Sequence, residues 1–236
     1  MGTKQIKKIL AALGLIVFWQ IAALIAENGG QYTATLVPTW GSVLKKSLSG
    51  FASFRSGGLP NYGDAAYVIL TNSLITVKRV LLGMAIGGVT GIITGIIIGL
   101  QPILRGMFYP VVKVLRNIPL LALVSLFLVW FGGEEIGIII YIAFGLWIIY
   151  ATNTIEAIDN ADRIRINFAR TLGAKNGDIY KDVILPMIIP NLINATKVAL
   201  GVAWAIALGG EFLAAQNGLG RLLIVSQQYM ETGRML

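Results

Sequence analysis

The residue types that most often perform chemistry in proteins are scarce in this sequence. Histidine and cysteine are absent from all 236 residues, which excludes thiol chemistry, Ser-His-Asp catalysis and metal sites built from those side chains. No Gly-x-x-x-x-Gly-Lys-[Ser/Thr] phosphate loop occurs, and neither a pair of carboxylates nor a nucleophile with an adjacent base stands out. We therefore expect no catalytic residue, no metal site and no cofactor in the chain itself.

Charged side chains are concentrated in one segment, residues 158–186, between two hydrophobic stretches. The segment alternates basic with acidic residues, namely Arg163, Arg165, Arg170, Lys175 and Lys181 with Asp159, Asp162, Asp178 and Asp182. Ile164, Phe168 and Leu172 recur every four residues, which predicts one apolar stripe on a short helix. This arrangement is suited to docking a partner protein.

The end of that helix and the start of the next one can also be predicted. Gly173 stands where a helix terminus requires a residue that adopts a positive φ. Asn176 or Asp178 is expected to cap a second helix, and Leu185-Pro186 to end or kink it, because proline disfavours helical backbone in the residue before it. The segment thus predicts two short helices joined by a glycine turn.

The composition is that of a polytopic membrane protein, an all-α bundle of membrane helices. Hydrophobic residues make up 56% of the chain and charged residues 13%, where soluble domains carry about 25% charged residues. Mean hydropathy is +0.76. A net charge of +8 could indicate nucleic-acid binding, but in a membrane protein it is typical of cytoplasmic Lys and Arg facing anionic lipid. We therefore expect lipid and no nucleic acid as a partner.

Hydrophobic stretches predict about five spans within a single transmembrane domain, residues 1–236. They cover residues 9–26, 80–100, 109–131, 137–154 and 187–210. At about 1.5 Å per residue the first is just long enough to cross a bilayer, and a cleaved signal peptide is the alternative interpretation for it. Lys4, Lys7 and Lys8 place the N-terminus in the cytoplasm, with residues 27–71 mostly external and residues 158–186 cytoplasmic. Charge counting alone is also compatible with the opposite orientation.

The second predicted span carries a glycine at every fourth position. The repeat predicts a smooth ridge on which another helix backbone can pack closely, and this is compatible with a helix that shifts during transport. The residues of the ridge are Gly83, Gly87, Gly91, Gly95 and Gly99.

Polar residues inside the later spans are candidates for a translocation path. Lys113 and Arg116 fall in the third span, which Pro119 breaks, and they either face the interior or extend to the cytoplasmic headgroups. In the fifth span, polar residues three positions apart share one helix face. The candidate path residues are Arg116, Asn194, Trp204 and Glu211.

At the charge-dense segment the sequence resembles the membrane-spanning permease subunit of bacterial ATP-binding cassette importers. The cytoplasmic signature of that family reads Glu-Ala-Ala, three residues, Gly, nine residues, Ile, one residue, Leu-Pro. The same spacing here gives Asn167-Phe168-Ala169, Gly173, Val183 and Leu185-Pro186. Asn167 and Phe168 depart from Glu-Ala, and Val183 replaces Ile. Shorter segments resemble the nitrate, sulfonate and taurine branch, namely Leu-Val-Pro-Thr at 36–39, Leu-Arg-Asn-Ile-Pro-Leu at 115–120, Leu-Val-Trp-Phe-Gly at 128–132, Arg-Thr-Leu-Gly-Ala at 170–174 and Gly-Leu-Gly at 218–220.

The resemblance implies an assembly in the bacterial inner membrane. Its parts would be a homodimer of permeases, two cytoplasmic ATPase subunits that bind ATP and Mg²⁺, and an extracytoplasmic substrate-binding protein. This chain would form the path for a small solute such as a sulfonate, taurine or nitrate. The charge-dense segment would be the coupling helix region, and its expected ATPase-coupling residues are Ile164, Asn167, Phe168, Ala169, Arg170, Leu172, Gly173, Ala174, Lys175, Leu185 and Pro186.

One departure from the family and two alternative functions remain open. Members of this branch usually add a further span after Gly-Leu-Gly, whereas 16 residues follow Gly220 here, so a last helix is expected to be short, absent or truncated. An ion-gradient-driven secondary transporter is one alternative, although no intramembrane carboxylate is evident as a proton or sodium relay. A non-transporting membrane scaffold is the other.

Overall fold

A computed structural model describes residues 3–56 and 61–235 of the chain. The secondary structure of these residues is helical throughout, with no strand among them, which confirms the all-α prediction. Two π-helical stretches, Val43–Ser47 and Ile179–Ile184, interrupt the α-helices. The α-helices are α1 Thr3–Asn28, α2 Gln31–Leu36, α3 Trp40–Ser42, α4 Leu48–Gly50, α5 Ser53–Ser56, α6 Tyr62–Leu100, α7 Pro102–Arg116, α8 Leu120–Phe131, α9 Glu135–Asp159, α10 Arg163–Thr171, α11 Asn176–Asp178, α12 Leu185–Ala214, α13 Leu219–Gln228 and α14 Thr232–Met235.

Four of the described helical segments are long and apolar enough to cross a membrane. They are Gln5–Asn28, Tyr62–Leu100, Glu135–Asp159 and Asn176–Ala214. Helices α7 and α8 make a fifth if the bent pair counts as one span. The assignment of individual spans and of their orientation in the membrane stays a prediction.

The region predicted as a single third span, residues 109–131, consists of two helices. Helix α7 begins at Pro102, so most of the loop expected between the second and third spans is helical. The axes of α7 and α8 meet at 103° around residues 117–119. Pro119 explains the break, because its ring fixes its own φ and disfavours helical backbone at Ile118. The break predicted at Pro119 is therefore present.

Leu185-Pro186 is predicted to end or kink the helix that precedes the last long span. Pro186 does not end it: α11, the π-helical stretch and α12 run on as one apolar segment from Asn176 to Ala214. Pro186 lies inside this continuous segment, at the second residue of α12, and closely follows the π-helical stretch Ile179–Ile184. The wider π-helical turn immediately before it gives the backbone a local adjustment of the kind that accommodates proline.

The chain divides into two compact units. The first comprises Met1–Leu74 and Asn217–Leu236, and the second Ile75–Gln216. In the first unit a small core forms from Phe51, Ala65, Val68 and Leu222. The guanidinium of Arg234 lies over the Phe51 ring, at 5.9 Å from its centroid. This contact packs the C-terminal α14 against the short helices of the same unit.

The second unit has a continuous core formed by residues of α6, α8, α9 and α12. Ile142 and Leu146 on α9 are completely buried in it, as are Ala203 and Ala207 on α12. The Tyr141 hydroxyl donates a hydrogen bond to the Leu120 carbonyl at 3.0 Å, which holds the start of α8 against α9. This core is the frame that positions the polar features described below.

The glycine ridge of α6 lies directly against α9. A Cβ added at any of the five ridge glycines would come closer than 3.0 Å to an atom of α9. At Gly91 that atom is the Trp147 carbonyl oxygen, 2.8 Å away, and at Gly95 it is Cβ of Thr154, 2.6 Å away. In addition, Trp147 donates its indole N–H to the Thr94 hydroxyl at 2.9 Å. The glycines therefore allow two long helices to pack backbone to backbone.

Candidate functional site

The charge-dense segment, residues 158–186, contains α10, which exposes two large apolar side chains. Asp162 begins the helix by accepting a hydrogen bond from the Ile164 N–H at 2.9 Å. Ile166 points inward and is 8% exposed. It packs in a hydrophobic cluster that we refer to as the inner cluster, whose other buried members are Ala157, Ala161, Ile179, Ile184 and Ile188. The predicted stripe points outward instead: Ile164, Phe168 and Leu172 are 79%, 64% and 73% exposed. We refer to these three residues as the apolar stripe.

A Schellman turn at Gly173 fixes the end of α10. Gly173 has φ +86°, as its position predicted. Its N–H bonds to the Arg170 carbonyl at 3.0 Å, and the Ala174 N–H bonds to the Ala169 carbonyl at 3.1 Å, the two bonds that define this motif. A side chain at Gly173 would be strained whatever the space around it.

The next helix begins differently from the prediction. Lys175 occupies the N-cap position, rather than Asn176 or Asp178. The Asp178 carboxylate acts from inside the first turn, where it accepts a hydrogen bond from the Lys175 N–H at 3.2 Å. The result is a short, defined connection between α10 and the helix that leads into α12.

The apolar stripe forms one wall of an open groove of about 790 Å³. Val183, Pro186 and Met187 lie on the opposite wall. Three of the predicted coupling residues, Ala169, Ala174 and Leu185, are partly buried against the inner cluster and support the surface from beneath. The remaining predicted residues on the segment, Asn167, Arg170, Gly173 and Lys175, are exposed. The segment thus presents an apolar stripe with basic residues beside it.

A second groove, of about 540 Å³, runs between α9 and α12. It brings together two of the predicted path residues, Arg116 at the end of α7 and Asn194 on α12. A guanidinium nitrogen of Arg116 lies 2.8 Å from a carboxylate oxygen of Glu156, so this basic side chain is paired. Further carboxamides line the same groove, those of Asn153, Asn160 and Asn191. We refer to this as the polar groove.

The other two predicted path residues lie elsewhere. Trp204 is partly buried against the core of the second unit, because its position on α12 turns it away from the face that lines the polar groove. Glu211 is 0% exposed and lines neither groove. The role of both residues in a translocation path stays a prediction.

Glu211 belongs to a buried polar cluster that the sequence did not reveal. One of its carboxylate oxygens lies 2.8 Å from a guanidinium nitrogen of Arg79, which is itself 2% exposed. The Thr76 hydroxyl donates to the same carboxylate at 2.9 Å. Arg79 also contacts Glu135 at 2.9 Å, and Lys78 reaches that carboxylate at 3.2 Å. We refer to these five residues as the ion cluster.

The ion cluster joins α6, the start of α9 and the end of α12. Glu211 lies within the candidate span Asn176–Ala214, so that span holds a carboxylate, and the expectation that none serves as a proton or sodium relay stays a prediction. An available signal was the presence of two opposite charges flanking otherwise apolar stretches, Arg79 before one and Glu211 near the end of another. Within residues 3–56 and 61–235, no group of carboxylates is arranged to hold a metal ion.

The chain is similar in sequence to known membrane transport proteins. The family model described as "Binding-protein-dependent transport system inner membrane component" matches residues 87–235. The taurine transport system permease protein TauC of Escherichia coli is 28% identical over 226 residues, covering 95% of this chain and 77% of that protein. The nitrate import permease protein NrtB of Synechococcus elongatus is 30% identical over 148 residues, covering 62% of this chain and 53% of that protein.

A solved structure shares the fold. The chain matches the MetNI methionine ABC transporter in an inward-facing conformation with a TM-score of 0.60 and 21% identity, over 70% of this chain and 81% of the other. At that identity the likeness concerns the fold alone. The chain belongs to the inner membrane components of binding-protein-dependent transport systems, as a non-catalytic permease of the branch that includes the taurine, sulfonate and nitrate permeases.

Proposed function

We propose that this chain is the permease subunit of an ATP-driven importer in a bacterial inner membrane, with its N-terminus in the cytoplasm. Two copies form the translocation path, and an external binding protein delivers the solute. Two cytoplasmic ATPase subunits bind ATP and Mg²⁺ and contact residues 158–186. The observation that carries this proposal is the exposed apolar stripe, held on a helix with a defined start and end.

The stripe has the properties of a docking site for a protein groove. Burying a large apolar side chain contributes about 1.5–3 kcal/mol, so three of them form a useful anchor even after the costs of association. Arg170 and Lys175 stand beside the stripe and are exposed, which favours an acidic rim on the partner.

The same segment is mechanically connected to the translocation path. Ile166 on α10 packs with Ile179 and Ile184, and the helix continues from there into α12, one wall of the polar groove. When ATP binding draws the two ATPase subunits together, each coupling segment moves with its subunit and carries α12 along. The glycine ridge between α6 and α9 is the surface on which the helices slide. Transmission of this kind requires packed, stiff elements.

The proposed solute is small: a sulfonate, taurine, nitrate or a related molecule. The names of the relatives support this range, since TauC is a taurine permease and NrtB a nitrate permease. The size of the polar groove, about 540 Å³, accommodates a molecule of this class.

The test is whether a cytoplasmic ATPase subunit co-purifies with the tagged chain from membranes. Phe168→Glu places a carboxylate in the centre of the stripe and should abolish co-purification, while the permease itself remains in the membrane. Asn167→Glu is the matched control, because it adds the same side chain one position away, on an exposed site where the family signature has Glu. Equal recovery of the ATPase with Phe168→Glu and with the parent chain would contradict the proposed contact.

A secondary transporter is the second candidate, and the buried Glu211 is the observation that favours it, since a buried carboxylate can carry a proton or sodium ion. Against this, Arg79 and Thr76 already occupy both oxygens of that carboxylate. Uptake that continues without ATP and collapses with the proton gradient would identify the second candidate.

A further inference from the structure

The polar groove contains two opposite charges that neutralise each other. Arg116 and Glu156 are paired at 2.8 Å, and both side chains remain accessible, at 47% and 43% exposure. The other described residues that line the groove carry no ionisable side chain. Of the charged residues nearby along the chain, Asp159 pairs with Arg105 and Asp162 with Arg165. Lys113 and Lys197 are exposed and do not line the groove. The groove is therefore electrically neutral, with one positive and one negative group at hand.

This charge balance discriminates between classes of solute. A simple anion that takes Arg116 separates it from Glu156 and leaves that carboxylate without its partner. A simple cation that pairs with Glu156 leaves Arg116 without its partner in the same way. A solute with both charges replaces the internal pair with two new ones, so that neither side chain is left unpaired. Because both side chains are about half exposed, water screens whichever charge is left alone, so the preference for a solute with both charges is modest, up to about fivefold.

The other residues that line the polar groove determine which further groups the solute can carry. Asn191 and Asn194 stand exposed on the α12 wall, and among the described residues their carboxamides have no hydrogen-bond partner. Towards the middle of the bundle the lining becomes apolar, with Ile149, Val198 and Val202. The polar end thus offers charge pairing and amide hydrogen bonds, and the apolar end accepts a short hydrocarbon part.

We propose that the polar groove binds an amphoteric solute, whose anionic group pairs with Arg116 and whose cationic group pairs with Glu156. Glu156 is then a specificity-determining residue that selects against anions lacking a positive group. This inference rests on the proposed function, which makes the groove part of the solute path. Within the proposed range of solutes it favours one that carries both charges.

The chain contains no cysteine, so a single introduced thiol reports on the groove without background. Val198→Cys places that thiol on the apolar wall, at a position that is 66% exposed, and leaves every charged and amide side chain in place. The full-length variant in lipid nanodiscs is treated with methyl methanethiosulfonate, an uncharged reagent, and the reaction rate is measured. The probes are taurine, which carries an ammonium and a sulfonate, and ethanesulfonate, which has the same skeleton without the ammonium.

Taurine should slow the reaction at least threefold, and ethanesulfonate at the same concentration should leave it nearly unchanged. Adding Glu156→Gln should reverse this preference, because the anion then strands no carboxylate. Glu134→Gln, which removes an exposed carboxylate outside the groove, is the control and should preserve the preference.

Equal protection by the two probes, no protection by either, or a preference that survives Glu156→Gln would overturn the inference. A thiol that does not react at all would do the same, because the groove would then be covered by a second copy of the chain. The measurement needs no ATPase, so its failure is distinct from a failure of the ATPase to co-purify with the chain.

Discussion

Removing the two buried charges of the ion cluster one at a time should lower the free energy of unfolding by different amounts. Breaking a buried ion pair by removing one partner costs about 3–5 kcal/mol, because the other charge is left buried. In Glu211→Gln, Arg79 keeps Glu135 at 2.9 Å, so the loss of unfolding free energy should be near the lower value. In Arg79→Gln, the completely buried Glu211 retains Thr76 as its remaining neutral donor in the cluster, so the loss should be nearer the upper value. Arg79→Gln is therefore expected to be the more destabilising change.

The double variant Arg79→Met/Glu211→Leu isolates the cost of stranded charge from the cost of lost contacts. Replacing a buried pair with apolar side chains of similar volume is often neutral or stabilising, so this variant should lie within about 1 kcal/mol of the parent chain or above it. The assay is reversible unfolding by sodium dodecyl sulfate in mixed micelles. Arg55→Gln is the control, since the Arg55–Asp64 pair is 50% and 33% exposed and should contribute less than about 1 kcal/mol. Single variants that are as stable as the parent would refute the reasoning, and so would a double variant less stable than both.

Three further changes test other parts of the molecule. Gly91→Ala should lower the unfolding free energy by about 1–3 kcal/mol through overpacking against α9, whereas Gly201→Ala, with nothing within 4 Å of the new Cβ, should not, as measured by the same unfolding assay. Asp162→Ala should destabilise the start of α10 by about 1 kcal/mol, visible as faster amide hydrogen exchange in residues 163–171 and not in α9. Arg170→Glu together with Lys175→Glu should uncouple ATP hydrolysis from transport without lowering expression, and unchanged transport per ATP hydrolysed would contradict the docking role.

Local features of the coupling segment were predictable because short-range patterns determine them. Ile164, Phe168 and Leu172 share a face through helical spacing alone, and Gly173 adopts its positive φ because the end of a helix requires it. Proline was harder to interpret. Pro119 and Pro186 follow similar apolar residues, yet one separates two helices at 103° and the other lies within the first turn of a continuing helix. Which outcome occurs depends on the packing around each proline, and the sequence pattern does not contain that information.

The polar interactions between helices were not predictable for a related reason. Arg79 and Glu211 are 132 positions apart, and their pairing requires the packing of α6 against α12. Arg116 and Glu156 are 40 positions apart and meet because the chain bends at Pro119. Spacing along one helix gives the face of a side chain but not the neighbour on that face, which is why the burial of Glu211 and the packing of Trp204 against the core were not predicted.

ATP-driven solute uptake is the most direct test of the central claim that this permease couples a solute path to cytoplasmic ATPases. The chain, its neighbouring ATPase and its binding protein are reconstituted in proteoliposomes, and uptake of radiolabelled taurine is measured with and without ATP on the ATPase side. The account predicts uptake that requires ATP, persists when a protonophore removes the proton gradient, and is lost with Phe168→Glu but not with Asn167→Glu. Uptake that proceeds without ATP and stops when the gradient is removed would contradict it.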